Sequence, residues 1–434
     1  MKKKARRRIA LKVPFVTRLE GEGSLELNAR GDRIDRLHLA IFEPPRLFEK
    51  FLEGRGYQEV PDLNARICGI CPMAYQLTSI QAMERLFGIE LPPSLVQLRL
   101  LMNLGEWVQS HALHIHFLAA PDFLGFDHAL DMAKVFPEVL KRGMLLQEAG
   151  NALMALLGGR SVHPVGLQVG GFGRLPDHER WHEVRGLVKQ ALPAAEALVR
   201  WTAELTLPDY SHDFIWVSLT EPDGYAINGG CITSSHGLSL DYSDYPRHFA
   251  EHQEPHSTAL YSLLDGQDYL VGPLARMNNS FERLPAEVRA LARECGFAFP
   301  SRNMFTSIRA RALEIYWALF EANRLLAQPC PNGEASLPVT PTAGECCFCT
   351  EAPRGMIYHY YRLDEQGRVL SCSIIPPTSQ NQARIEQDLR ASVTRFGLHH
   401  SDQELKLFCE RLIRNYDPCI SCSTHFLRFR LRRE

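Results

Sequence analysis

Two Cys-x-x-Cys pairs constrain this chain more than any other feature: one in RICGICPMAYQ near the start, the other in DPCISCSTH near the end. About 350 residues separate Cys68 and Cys71 from Cys419 and Cys422. Such a pair places two thiolates on one metal, and two thiolates seldom complete a coordination sphere. If the pairs share a metal, the chain must close on itself almost end to end. Closing a loop of that length costs on the order of 5 kcal/mol of chain entropy, whereas a structural metal site contributes on the order of 10–16 kcal/mol. Structural zinc sites usually draw their cysteine pairs from within about 20 residues of each other. A gap of hundreds favours a reactive metal at a junction in the fold, and soft thiolates suit nickel, iron and copper(I) as well as zinc.

The rest of the composition narrows the classes. With Lys+Arg 48 against Asp+Glu 50 the formal net charge is -2, which argues against a general nucleic-acid binder. No apolar run is long enough to span a bilayer. The start, MKKKARRRIALKVPF, is basic without the apolar segment of a secretory signal. Twelve cysteines in such a chain are expected to be reduced thiols, metal ligands or core residues, and the expected compartment is the cytoplasm. No GxGxxG follows a strand and no P-loop is present, so neither a dinucleotide nor a nucleotide is expected on this chain.

Residues 9–42 alternate about Arg30-Gly31-Asp32, a hairpin signal. After Cys71 the period becomes helical: Pro72 opens one helix that stops at Gly88, and Pro92-Pro93 opens a longer one. Further helices are predicted at about 127–157, 177–206, 302–327 and 402–415, with strands and loops over 207–245 and 335–380. The predicted fold class is α+β, mainly α: a central bundle of long helices with smaller α/β lobes. Its expected parts are a β-rich lobe (1–65), a helical bundle with the first cysteine pair (66–206), an α/β insertion lobe (207–300), and a last part (301–434) with a helix, the EAPRG loop and the second pair. Both cysteine pairs fall at element boundaries, where free backbone N–H groups can stabilise thiolates.

RICGIC and DPCISCSTH, with TRLEGEG near the start and EAPRGMIYH between, resemble the large, catalytic subunit of NiFe hydrogenases, in the family's order and across residues 17–425. The resemblance implies that Cys68 and Cys419 are terminal nickel ligands, and that Cys71 and Cys422 bridge nickel to an iron carrying CO and two cyanides. It implies reversible, heterolytic H2 oxidation, with Cys419 as first proton acceptor and Glu20 of TRLEGEG as the next. Arg354 of EAPRG would face an iron-bound cyanide, which guanidinium donors suit. Pro376, Pro377 and Thr378 of IIPPTSQNQ would lie near the second, and Asp417 would orient Arg354. Glu49 and His425 match the ligands of a separate magnesium or iron site, which suits a hard ion that keeps several waters. Read alone, Glu20 and Glu49 would be solvated charges and Arg354 a surface ion-pair residue.

Some positions depart from the family. Glu22 stands where a histidine is usual, Tyr75 where many members have histidine, and Ser110 where many have aspartate. With the chain's short length, these changes look like the cytoplasmic NAD(P)-linked bidirectional or sulfhydrogenase branch. The implied partners are a small subunit with Fe–S clusters and flavin- and NAD(P)-binding subunits, since this chain lacks cluster-type cysteine spacing. A maturation protease is a further partner if FLRFRLRRE, after His425, is a removable tail; the other reading is a retained strand. His111, His114 and His116 are expected to be hydrogen-bonded core residues rather than ligands. Cys346, Cys347 and Cys349 are read as packed thiols, and Cys231, Cys295, Cys330, Cys372 and Cys409 as buried hydrophobes. The competing functions are a subunit merely stapled by a four-thiolate zinc, without hydrogenase activity, and a metal-free relative, against which the four cysteines argue.

Overall fold

The computed structural model describes residues 8–424. Its N-terminal part is a three-stranded antiparallel sheet of Arg8–Val13, Gly23–Arg30 and Arg33–Ile41, with Arg30 opposite Arg33 across the two-residue turn. The alternation of the sequence becomes one buried face, Leu25, Leu27, Leu37 and Leu39. That face packs on two late helices, Pro377–Phe396 and Asp402–Tyr416, through Ile385, Leu389, Leu405 and Leu412. The two ends of the chain thus share one core before any metal is considered.

The centre is a helical bundle: Pro72–Phe87, Pro93–Leu113, Pro137–Gly158, His178–Glu204 and Ser307–Leu326. Pro72, Pro93 and Pro137 each stand at a first helical position, where a missing N–H costs nothing. Pro93–Leu113 and Pro137–Gly158 cross at glycines: a Cβ on Gly150 would come 2.6 Å from the Gly105 carbonyl oxygen. The single helix predicted over 127–157 is two, Ala129–Val135 and Pro137–Gly158, because Pro137 cannot donate to a preceding turn. Pro93–Leu113 runs on into a π-helical turn, His114–Ala119, which the periodicity did not reveal. Asp402–Tyr416 opens with a capping box of Ser401 and Glu404.

Beside the bundle lie a four-stranded sheet built on Ile215–Thr220 and Cys231–Ser234, the hairpin Phe249–Gln253 with Leu260–Leu264, and an antiparallel sheet of Gly344–Ala352, Gly355–Leu363 and Val369–Ile375. Ala352 pairs with Gly355, so Pro353 and Arg354 form the tip of a tight hairpin. Cys231 is exposed rather than buried, and Cys295 and Cys372 are half-buried; Cys330 and Cys409 are buried. Cys231 lies on the outward side of its strand, where Ile232 takes the inward position. Among the described residues no helix is long and apolar enough to cross a membrane.

Candidate metal centre

The first cysteine pair occupies a turn entering a helix. Cys71 is the cap residue before Pro72–Phe87, and the N–H groups of Ile70 and Cys71 point at the Cys68 sulfur, at 3.3 and 3.4 Å. The second pair follows a helix end. Asp417 adopts the left-handed conformation that closes Asp402–Tyr416, one that aspartate tolerates better than most residues. Pro418 then forbids further helix, and the Cys419 N–H is taken by Thr378 Oγ1 at 2.9 Å.

These two local devices bring all four sulfurs within 4.8 Å of one another. Cys68 and Cys419 are 3.5 Å apart, and Cys71 and Cys422 3.8 Å apart. A tetrahedral metal with sulfur bonds of about 2.3 Å needs sulfur–sulfur edges of about 3.8 Å. The four thiols are almost fully buried. Hydrogen bonds from Cys419 and the other thiols hold the Cys68 pKa well below the usual thiol range, while burial pushes Cys419 well above it. A bound cation is what would favour the thiolate form of all four.

Glu20 meets the second pair from the opposite end of the chain. Its carbonyl accepts the Ile420 N–H at 3.0 Å, and its carboxylate accepts from the Cys419 thiol at 3.2 Å. The Ser421 N–H donates to the same carboxylate at 3.0 Å, and the Ser421 hydroxyl to its other oxygen. Gly21 makes this approach possible: a Cβ there would lie 2.7 Å from Ile420 Cβ, at a φ of +87° that side chains rarely adopt.

Arg354 reaches Asp417 from its hairpin tip, Nε to the backbone carbonyl at 2.7 Å and Nη2 to the carboxylate at 3.1 Å. Burial opposes both charges. The pair nonetheless holds Arg354 well above the usual guanidinium range, with help from the nearby thiolates, and Asp417 below the usual carboxylate range. Arg354 Nη1 is buried with no hydrogen-bond partner among the described residues, as is the Ser110 hydroxyl. Pro376 caps the helix that begins at Pro377. Glu49 lies in the short helix Phe48–Leu52 and accepts the Ile374 N–H at 2.8 Å. Its expected companion His425, like the tail beyond it, lies outside the described residues. Tyr75 packs against His359, ring centroids 5.8 Å apart.

The histidines of HALHIHF are spoken for. His111 Nε2 lies 2.8 Å from Glu314, His114 Nε2 2.7 Å from the Arg414 carbonyl, and His116 Nδ1 2.9 Å from the Ala112 carbonyl. Cys346, Cys347 and Cys349 lie on one strand and do not converge on the four-sulfur cluster.

Several positioning residues escaped the sequence reading. Glu106, fully buried, accepts the Met73 and Ala74 N–H groups at 2.6 and 3.2 Å, so it caps the helix that Cys71 opens. Burial drives its carboxyl pKa well up. Arg276 bonds Glu314 and Glu351 and donates to the Ala352 and Pro353 carbonyls, each at 2.9 Å, fixing the turn that carries Arg354. Arg46 donates to the Ile67 and Ser421 carbonyls and so links the two cysteine segments. An acid inside an apolar helix, LMNLGEWVQS, was the one available signal, for Glu106.

The profile of the nickel-dependent hydrogenase family matches residues 46–142 and 263–425. The sulfhydrogenase 2 alpha subunit of Pyrococcus furiosus is 32% identical over 423 residues, covering 95% of this chain and 98% of that one. The sulfhydrogenase 1 alpha subunit of the same organism is 30% identical, covering 97% and 99%. Among solved structures, an NAD+-reducing NiFe hydrogenase in its H2-reduced state superposes with a TM-score of 0.87 at 27% identity, covering 97% of this chain and 100% of that one. The chain therefore belongs to the nickel-dependent hydrogenases as a large subunit of the sulfhydrogenase and NAD-reducing type.

Proposed function

We propose that this chain is the catalytic subunit of a NiFe hydrogenase that oxidises H2 and reduces protons reversibly. Cys68 and Cys419 would hold nickel terminally, and Cys71 and Cys422 would bridge it to an iron carrying one CO and two cyanides. The observation that carries this reading is the convergence of four sulfurs from opposite ends of the chain, with a carboxylate 3.2 Å from one of them. A zinc staple would need the sulfurs alone.

When bound, the two metals supply the heterolytic cleavage of H2. The chain's part is to take and remove the proton. Cys419 is 1% exposed, so its thiol has no direct route to bulk water. Glu20 is half-buried and bonded to that sulfur, so its carboxylate can take the proton and pass it outward. The two Ser421 donors hold the carboxylate in place beside the sulfur. Arg354 Nη1, buried and unpaired, suits the nitrogen of a cyanide. Thr378, close enough to bond the Cys419 N–H, would line the other cyanide with Pro376 and Pro377. Glu49 with His425 would hold magnesium or iron.

Electrons would leave through a small subunit with Fe–S clusters, and then through flavin- and NAD(P)-binding subunits to NAD(P) in the cytoplasm, with sulfur or polysulfide as a further acceptor. Phe15 and Phe42, 56% and 41% exposed and packed edge to face, offer part of an apolar surface for a partner. The test is an infrared spectrum of the assembled complex in the window of metal-bound CO and cyanide. Bands there are the expected result. Their absence from nickel-free but fully assembled protein would replace this reading with the zinc staple.

A further inference from the structure

Away from the four cysteines, three metal-ligating side chains meet where strand Arg33–Ile41, the loop after Phe249–Gln253 and helix Pro377–Phe396 come together. We propose that His38, His256 and Glu386 form a further metal site, for a zinc-class divalent cation whose sphere is completed by water. One ligand atom from each lies within 4.8 Å of the others. His256 Nε2 is 3.0 Å from one Glu386 oxygen, and His38 Nδ1 is 3.6 Å from the other. With metal–ligand bonds of 2.0–2.1 Å, a tetrahedral zinc needs ligand edges of about 3.3 Å. The two observed distances bracket that value.

Hydrogen bonding accounts for His256, whose Nε2 lies 3.0 Å from both Glu386 Oε1 and the Tyr261 hydroxyl, but not for His38. The Leu39 N–H at 2.9 Å and the Tyr261 hydroxyl at 3.0 Å both donate to Oε1 of Glu386, which fixes the carboxylate and leaves Oε2 turned toward His38. Outer partners that orient a ligating carboxylate are what a metal site requires. His38 Nδ1 is buried and makes no hydrogen bond among the described residues. Leaving such an atom unpaired costs about 1–3 kcal/mol. The two imidazoles face each other with ring centroids 3.8 Å apart, so one cation can take a nitrogen from each ring. Among the described residues the ion pairs of Glu386 are with these two histidines, and no arginine or lysine neutralises it.

The place is reachable. His256 lines a surface cleft of about 790 Å³ whose wall also carries Glu251, His252 and Glu254, and carboxylates there raise the local cation concentration. Two imidazole nitrogens and one carboxylate oxygen form a borderline ligand set suited to zinc rather than to magnesium or calcium. Such an ion would tie together three elements distant in sequence. One is the helix whose first turn carries Thr378, the acceptor of the Cys419 N–H.

The assembled complex, washed with chelator and then titrated with Zn2+ alone, tests this. Zinc and nickel are counted per large subunit after gel filtration. Expected is one zinc beyond the nickel content in the wild type, and Zn2+ binding weakened by at least about 100-fold in His256→Ala and Glu386→Gln with nickel unchanged; even outer-shell losses cost 10–100-fold. Should either variant lose nickel, His38→Gln is read instead. Co2+ in place of Zn2+ should give a visible spectrum of nitrogen and oxygen ligation, without a thiolate charge-transfer band. No zinc uptake by the wild type, equal uptake by the variants, or a thiolate band would each overturn the proposal.

Discussion

The carboxylate of Glu20 lies 3.2 Å from the sulfur of Cys419, 399 residues further along the chain. The contact is not a chance approach of long side chains. Backbone pairing of the two segments sets it, through the Ile420 N–H and the Glu20 carbonyl, and Gly21 lets the segments touch. Glu20→Gln keeps the shape and removes the carboxylate proposed to carry the proton. We expect nickel content to stay at the wild-type level while H/D exchange between gas and solvent slows by roughly 10²–10⁴-fold, the usual worth of a positioned acid–base group. Wild-type exchange by this variant would remove Glu20 from the proton route.

Arg354 should be visible in a spectrum. Its Nε and Nη2 are committed to Asp417, and Nη1 is left over. Arg354→Lys keeps a positive charge and loses the fork. The expected outcome is retained nickel, a displaced cyanide band in the infrared and a turnover reduced by roughly 10²–10³-fold, the scale of losing one oriented donor at a reacting centre. An unchanged infrared spectrum would show that the guanidinium touches no iron ligand.

Cys71→Ser replaces a thiolate with a hydroxyl that stays protonated and hard. The bimetallic site and all hydrogenase activity should disappear. The structural consequence is more informative. Without a metal the end segments keep their shared apolar core but lose the tie at the cysteines. The Ile420 amide, bonded to Glu20 at 3.0 Å, should then exchange its hydrogen faster, while amides in Pro93–Leu113 keep their protection. Equal protection at Ile420 would mean that packing alone holds the ends together.

What the sequence disclosed, and what it withheld, follows from the range of each interaction. Pro72, Pro93 and the Arg30-Gly31-Asp32 turn act on their own neighbours, so the elements they begin or reverse were readable. The cysteine pairs were readable because metal ligation needs fixed spacing, and Glu20 and Arg354 because they sit in motifs of a known family. Pro137 is equally local, but it sits within a stretch whose apolar period masks the break between Ala129–Val135 and Pro137–Gly158. Arg276, Glu314 and Glu351 were not readable: their partners come from elements far apart in sequence, and a charged residue on its own looks solvated. The same holds for His38, His256 and Glu386, three unremarkable surface-type residues until strand, loop and helix are assembled.

His116 carries a prediction about pH. The ring is buried in the π-helical turn, with Nδ1 donating to the Ala112 carbonyl at 2.9 Å and Nε2 accepting from Arg142 Nε at 3.2 Å. The Arg142 bond requires the neutral ring, because a protonated Nε2 could not accept and would face a guanidinium. Burial first and Arg142 second lower its pKa to about 3. In the unfolded chain the ring takes up a proton as pH falls through about 6.5, whereas the folded ring does not until about 3. Its contribution is therefore fully present above pH 6.5 and is lost progressively as pH falls below that value. Between about pH 7.5 and pH 5.5 the loss is about 1.4 kcal/mol from this ring. His111 and His114, lowered to about 4 and about 3 by burial, add losses of the same sign. Apparent urea midpoints of the complex at the two pH values should show the wild type losing stability, and His116→Gln losing about 1.4 kcal/mol less across the interval. The variant is expected to be less stable at both pH values, because Gln does not fill the ring's volume, but that offset cancels in the difference. An equal loss in variant and wild type would assign the acid sensitivity to other groups.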